Sequence, residues 1–251
     1  MSLYSYFAEY YDVLTVNVEY KKRAEYFLSL MQKHGHQAGL TLDLACGTGS
    51  LTLELSRKGV DIFGADASSD MLSVAQQKFV EEGRQILLLC QKMQDLELIG
   101  SIHTCICTLD SINHLPSSKD VIKTFEKVAK YLDQDGMLIF DCNTIYKHEH
   151  ILGDNCYVYD TEEVFCVWQN HYRPHNHKVI ITLDFFEPDG KTYNRYTEQF
   201  SERAYTRAEM EQMLNEAGLM TEAVYEDMSF EAPKLDTQRE IYVVRKMNKH
   251  E

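Results

Sequence analysis

The stretch of this 251-residue chain best equipped for chemistry is Leu42-Asp-Leu-Ala-Cys-Gly-Thr-Gly-Ser50, an apolar strand pattern running into a glycine turn and then a helix pattern. Gly47 and Gly49 let backbone pass close to a ligand, and the helix N-terminus beyond them offers unpaired N–H groups. Asp66 ends the next strand pattern, 17 residues after Gly49. A carboxylate there can accept both hydroxyl protons of a ribose. Strand, glycine turn, helix, strand and terminal acid in this order point to an adenosine-containing cofactor. A dinucleotide fingerprint asks for Gly or Ala at position 52, which here is Thr52, and the Gly-Lys-Ser/Thr triplet of a phosphate-binding loop is absent. His114 follows the fourth strand pattern. Its imidazole is suited either to take a proton from an attacking amine or hydroxyl or to hold a structural hydrogen bond.

The elements that must position these residues alternate along the chain. Two aromatic-rich helices fill the first forty residues. Strand patterns follow at Leu40–Leu44, Asp61–Ala65, Ile86–Leu89, Ile102–Leu109 and Gly136–Cys142, separated by helix patterns that start at Ser50, Ser68 or Ser69, and Pro116. Continuous apolar strands alternating with helices predict a parallel sheet covered on both faces. Near residue 150 the period changes to two: Val179, Ile181, Leu183 and Phe185 alternate with a second set, and Glu187-Pro-Asp-Gly-Lys191 supplies a turn. About four antiparallel strands are predicted there. Thr206 and Glu209 then form a capping-box pattern before a helix, Arg207–Ala217, and two last strands. Residues 1–149 and 205–251 therefore read as one α/β domain, with 150–204 a small β lobe inserted late in it.

Asp43-x-Ala45-x-Gly47-x-Gly49 resembles motif I of the class I S-adenosylmethionine-dependent methyltransferases. The likeness continues in FGADASSDML, where Asp66 matches the family's ribose acid, Ala67 follows it, and Met71 matches a residue lining the adenine. LDSINHL, which carries Leu109 and Asp110, looks like the fourth motif, and AGL (217–219) precedes the last two strands. YFAEYYDVL and VEYKKRAEY resemble the small-molecule branch, which includes amine and sugar-amine methyltransferases with a β lobe over the active site. The resemblance implies a Rossmann-like, seven-stranded, mostly parallel sheet with the last strand antiparallel. It also implies S-adenosylmethionine as cofactor and a small-molecule methyl acceptor with a nitrogen or oxygen nucleophile. By the same likeness His114 lies near the transferable methyl group, Tyr11 closes over the methionine part of the cofactor, and Arg23 binds its carboxylate. One position departs from the family: Lys92 stands where an acid commonly accepts a bond from the adenine amino group, leaving that task to Gln91 or a main-chain carbonyl, with Met93 packing on the adenine. The alternative readings are a regulatory or partner protein that binds the cofactor without methyl transfer and, disfavoured by Thr52, a nicotinamide-dependent dehydrogenase.

Charge and composition narrow the partners. With 39 Asp+Glu against 25 Lys+Arg the formal charge is −14, and no basic stripe offers phosphate neutralisation, so nucleic acid is not an expected partner. No run reaches the ~20 apolar residues of a membrane span. The opening MSLYSYFAEYYDVL lacks the charged flank and apolar core of a secretory signal. Seven cysteines, none in a C-x-x-C pair, predict neither disulfide framework nor zinc ribbon and suggest the reducing cytosol. His171, His175 and His177 read as solvated loop residues rather than metal ligands, and no metal is expected. The chain is expected to be a monomer or homodimer.

Overall fold

The computed structural model describes residues 5–247; Met1–Tyr4, at the start of the segment read above as free of a leader, lie outside it. Four central strands, β1 (Thr41–Leu44), β2 (Ile62–Asp66), β3 (Leu88–Cys90) and β4 (Ile102–Cys107), pair in parallel, and β5 (Leu132–Asn143) joins β4 in the same sense. Every residue of β1 is buried, Leu42 and Leu44 together with Thr41 and Asp43, as in a strand covered on both faces. The covering helices are α2 (Tyr20–Lys33), α3 (Ser50–Arg57), α4 (Ser69–Glu81), α5 (Ser118–Tyr131) and α6 (Arg207–Glu216), after an initial α1 (Ser5–Leu14). Ser68 caps α4, accepting from the Met71 amide at 3.2 Å. Thr206 and Glu209 form both halves of the capping box on α6.

Beyond these, β6 (Cys156–Asp160), β7 (Phe165–Arg173), β8 (Lys178–Asp189) and β9 (Thr192–Arg203) make a separate antiparallel sheet, while β10 (Leu219–Glu226) and β11 (Arg239–Lys246) return to the first. The large sheet has the order β10-β11-β5-β4-β1-β2-β3, with β11 antiparallel to both neighbours. Successive strands step one way from β1 to β3 and the other way from β4, so the order reverses between β1 and β4. In open α/β sheets ligands bind outside the carboxyl ends of the strands at this reversal. Both the glycine turn after β1 and the segment carrying His114 after β4 lie there.

Two details differ from the sequence reading. The fifth strand begins at Leu132, directly after Tyr131 ends α5, with no intervening loop. Residues Lys147–Leu152, which straddle the boundary drawn between 149 and 150, form a π-helical turn.

The lobe has one apolar face. Val179, Ile181, Leu183 and Phe185 of β8 are fully buried, packed with Phe7 and Tyr10 of α1. Burying each such side chain contributes roughly 1.5–3 kcal/mol. Phe7 stacks on Phe200 with ring centroids 6.1 Å apart, and the Tyr10 hydroxyl donates to Glu187 at 2.8 Å. The other side of α1 is tied to the glycine turn: Asp12 accepts from Thr48 at 2.7 Å and pairs with Lys78 at 2.6 Å. One short helix thus joins lobe and sheet across the cleft between them.

Candidate active site

The turn after β1 runs through the left-handed region at Ala45, Gly47 and Gly49, with φ of 61°, 53° and 71°. The two glycines are required for different reasons. A Cβ on Gly47 would meet nothing within 4 Å, because that backbone faces a cavity; a Cβ on Gly49 would lie 2.6 Å from the Phe79 ring and 2.9 Å from Ala75. Asp66, at the end of β2, holds the turn in place: its carboxylate accepts from the amides of Gly47 (2.9 Å) and Ser68 (2.8 Å). Burial raises the Asp66 pKa, and these amides act against that rise. Asp43 lies beneath the turn, buried, and receives the Thr52 hydroxyl at 2.6 Å. Burial pushes its carboxyl up to about 7, with the Thr52 bond opposing and Asp66 adding to the shift. Thr52, read above only as a missing glycine, is therefore the polar partner of Asp43.

The cavity at this rim has a volume of about 670 Å³, within the range of small-molecule sites. Of the residues singled out in the sequence, Tyr11, Asp43, Ala45, Gly47, Asp66 and Ala67 line it, and so do Met71, Lys92, Met93, Leu109 and His114. Arg23, Gly49 and Asp110 do not. The Arg23 guanidinium is buried and bonded to Asp227 through two nitrogens at 3.2 Å, with Asp141 at 3.5 Å, so it is committed to a salt-bridge network rather than presented to the cavity. Gly49 serves helix packing, as described. Gln91 is also turned away, its amide bonded to the Glu97 backbone at 2.8 and 3.2 Å; Gln94 lines the cavity instead.

His114 sits between two carboxylates. Its Nε2 is 3.7 Å from Asp110 and 3.7 Å from Glu202, and Phe200 packs on the ring at 5.3 Å. Burial pulls the imidazole pKa down, but Asp110, Glu202 and Asp66 reverse this and hold it above 6.5. Asp110 is itself pushed up by burial, then held well below the usual carboxylate range by Arg239, His114 and Lys147. Burial keeps the Tyr11 phenol neutral far above its ordinary range, so Tyr11 contributes a ring and a hydroxyl rather than a base.

The backbone beside His114 is strained: Leu109 and Asp110 both have φ of 56°. Asp141 of β5, fully buried, pins them by accepting both amides at 2.9 and 2.7 Å, and Arg239 of β11 bridges Asp141 and Asp110. Sequence reading missed Asp141 and Arg239; it weighed Glu202, at the end of the lobe, as a substrate-facing residue and gave more weight to ordinary hairpin pairing. The available signal for Asp141 was a single acid inside the apolar run MLIFDC. Asp110, His114 and Glu202 also have the composition of a cation site, their ligand-type atoms lying within 4.8 Å of one another. His171, His175 and His177 form no such grouping among the described residues; His171 pairs with Asp154 at 3.0 Å.

Comparison with known proteins agrees with this geometry. A family model described as a methyltransferase domain matches residues 41–136. A Bacillus subtilis (strain 168) protein named provisionally as the methyltransferase YqeM is 31% identical over 97% of each chain. The crystal structure of an S-adenosylmethionine-dependent methyltransferase from Clostridium acetobutylicum is 33% identical, covers 98% of this chain and 99% of its own, and superposes with a TM-score of 0.87. The chain belongs to the class I S-adenosylmethionine-dependent methyltransferases. A more distant relative of this methyltransferase, the glycine/sarcosine N-methyltransferase of Halorhodospira halochloris, is 26% identical over 92% of this chain and 83% of its own length.

S-adenosylmethionine is accordingly the cofactor, and the nicotinamide reading falls away. The residues present fit it. The Gly47 backbone borders open space that a side chain would fill, on the wall of the cavity that Asp66 also lines. No helix among the described residues is long and apolar enough to cross a membrane, and all seven cysteines are free.

Proposed function

We propose that this methyltransferase acts on a nitrogen or oxygen nucleophile of a small molecule held between His114 and the β lobe, nitrogen being favoured. The observation that carries the reading is the cavity itself. It runs from the turn that holds Asp66 to lobe residues Phe200 and Ser201, and its volume suits a cofactor and a small acceptor. The glycine/sarcosine N-methyltransferase relative, aligned over most of both chains, supports a nitrogen acceptor. In this reading residues 1–149 and 205–251 bind cofactor, and 150–204 cover the acceptor and select it. The excess negative charge supports an enzyme that does not bind nucleic acid, and the free cysteines support a cytosolic one; a monomer or homodimer is part of the same reading.

Bound cofactor supplies a methyl group on a positively charged sulfur, so the protein's task is alignment, exclusion of water and removal of a proton. Asp43, Ala45, Gly47, Asp66, Ala67 and Met71 would hold it, with Lys92, Met93 and Leu109 alongside. Phe7, Tyr11 and Phe200 give the cavity an apolar wall on the side of α1 and the lobe. His114 lines the cavity, and its Nε2 lies 3.7 Å from both Asp110 and Glu202. When the imidazole takes the acceptor's proton, Asp110 and Glu202 stabilise the imidazolium. The test is formation of S-adenosylhomocysteine with a panel of amines, alcohols and thiols. Turnover is expected with amines. Tight cofactor binding without turnover on any of them would return the chain to the role of a cofactor-binding partner protein.

A further inference from the structure

The lobe brings three cations into a row. Arg173 of β7 lies directly opposite Lys178 of β8, and Lys178 directly opposite Arg203 of β9. Residues directly opposite in an antiparallel pair have neighbouring side chains on one face, and like charges there are destabilising. That cost is met twice in the row, in a chain with fourteen surplus negative charges, and the electrostatic offset falls on Arg203, which acts on the Glu209 carboxylate. Among the described residues none of the three is in an ion pair. The Lys178 ammonium has a single long contact, 3.4 Å to the Pro116 carbonyl, and Arg203 lies over the Tyr205 ring with its Nε unpartnered.

Of the row, Lys178 reaches the acceptor end of the cavity, with Arg173 and Arg203 beside it on the neighbouring strands and outside the lining. Lys178 lines the wall with Ser201, its diagonal neighbour on the same lobe face, and with Pro116 and His114. The two carboxylates that line the cavity, Asp43 and Asp66, are both at the cofactor turn and are engaged by Thr52 and by backbone amides. At the acceptor end the carboxylates of Asp110 and Glu202 stand behind His114, engaged by Arg239 and by Asn143, and the charged lobe side chain that reaches the lining is Lys178.

We propose that Lys178, with Arg173 and Arg203 reinforcing its potential, binds an anionic group on the methyl acceptor. The substrate class is then a small amine or alcohol that also carries a carboxylate or a phosphate, with Lys178 the residue that selects it. This rests on the reading of the enzyme as a small-molecule methyltransferase. It narrows that reading to acceptors whose charge opposes that of the row.

The test uses matched acceptors in two arms, amino acids against their amides and amino-sugar phosphates against the unphosphorylated sugars, so that carboxylate and phosphate are distinguished. Wild type is expected to favour the anionic member of one arm by about tenfold or more in kcat/KM, the scale of one charge-assisted contact. Lys178→Met should abolish that preference through KM, and Lys178→Glu should reverse it, whereas Lys191→Met on the exposed hairpin turn should keep it. Equal use of neutral and anionic members, or a preference that survives Lys178→Met, overturns the proposal. Calorimetry of pyrophosphate and of glutarate with enzyme loaded with S-adenosylhomocysteine gives a readout independent of turnover. Binding of one of them, weakened about tenfold in Lys178→Met, supports the anion site even if no acceptor in the panel is methylated. Absence of any binding difference between wild type and variant refutes it. Failure of turnover alone, with that binding intact, counts against the methyl-acceptor reading and not against the anion site.

Discussion

Replacing each of the two glycines of the turn by alanine should separate cofactor binding from stability. Both positions lie in the left-handed region, at φ of 53° and 71°, so each substitution carries a backbone cost of about 1–2 kcal/mol. They differ in what the new methyl group meets. At Gly49 it would lie 2.6 Å from Phe79 and 2.9 Å from Ala75, inside van der Waals contact with two residues of α4. Such overpacking adds about 1–3 kcal/mol. At Gly47 the methyl enters open cavity space and adds nothing of this kind. Gly49→Ala should therefore melt below Gly47→Ala by roughly 2–12 °C, taking 2–4 °C per kcal/mol for a chain of this size. Cofactor affinity should show the opposite order, with Gly47→Ala losing about tenfold or more. Thermal unfolding of the free proteins and calorimetric titration with S-adenosylmethionine measure both. Equal melting temperatures together with wild-type affinity in Gly47→Ala would show that the cofactor does not approach this backbone, and the assignment of the turn would fall.

His114→Asn should lower kcat by ~10²–10⁴-fold with little change in cofactor affinity. Because the neutral imidazole is the working form and its pKa is held above 6.5 by the flanking carboxylates, wild-type activity should climb with pH through a value above 6.5. A pH profile flat across that region would make His114 a packing residue. Asp66→Ala removes a charge-assisted acceptor worth ~1.5–3 kcal/mol, so S-adenosylmethionine binding should weaken about tenfold or more by calorimetry. Retained affinity would reject the ribose assignment. At the far end of the sheet, burial, then Arg245 and His103, lower His36 from 6.5 to about 4. The fold favours its neutral ring, so this contribution is complete above 6.5 and is lost as pH falls towards about 4. Urea unfolding at pH 7 and pH 4.5 should show a smaller acid loss in His36→Gln than in wild type, and an identical loss in the two would refute the assignment.

What the sequence revealed of this enzyme were features written over short distances. The apolar run before Asp43, the glycines after it and Asp66 at the end of the next strand are local signals, and the structure brings them together as one turn. The capping box at Thr206 and the alternation through Val179–Phe185 were legible for the same reason. The misreadings involve partners far away in the chain. Arg23 lies on an early helix, and nothing near it announces Asp227, 204 positions later, which takes up its guanidinium. Asp141 is indistinguishable from a strand-end acid until Arg239 and the amides of Leu109 and Asp110 converge on it. Glu202 was weighed as an ordinary hairpin residue, and only the docking of β9 against the end of β5 brings it to His114 and to Asn143, 3.0 Å away.

Asn113, the residue before His114, is 1% exposed, and its side chain joins three parts of the chain: the amide donates to the Arg203 carbonyl at 2.9 Å and the Asn143 carbonyl at 3.2 Å, and its oxygen accepts the Asn143 amide at 2.9 Å. Peeling the lobe off the sheet would strand these groups together with Glu202 and Asn143 Nδ2, at ~1–3 kcal/mol for each buried group left unmade. The lobe should consequently show no independent melting step. Insert and sheet should unfold as one cooperative unit, so a mutation that loosens the acceptor cover is felt in the global transition, and amides in β8 and around Asp66 should exchange with solvent through the same opening event.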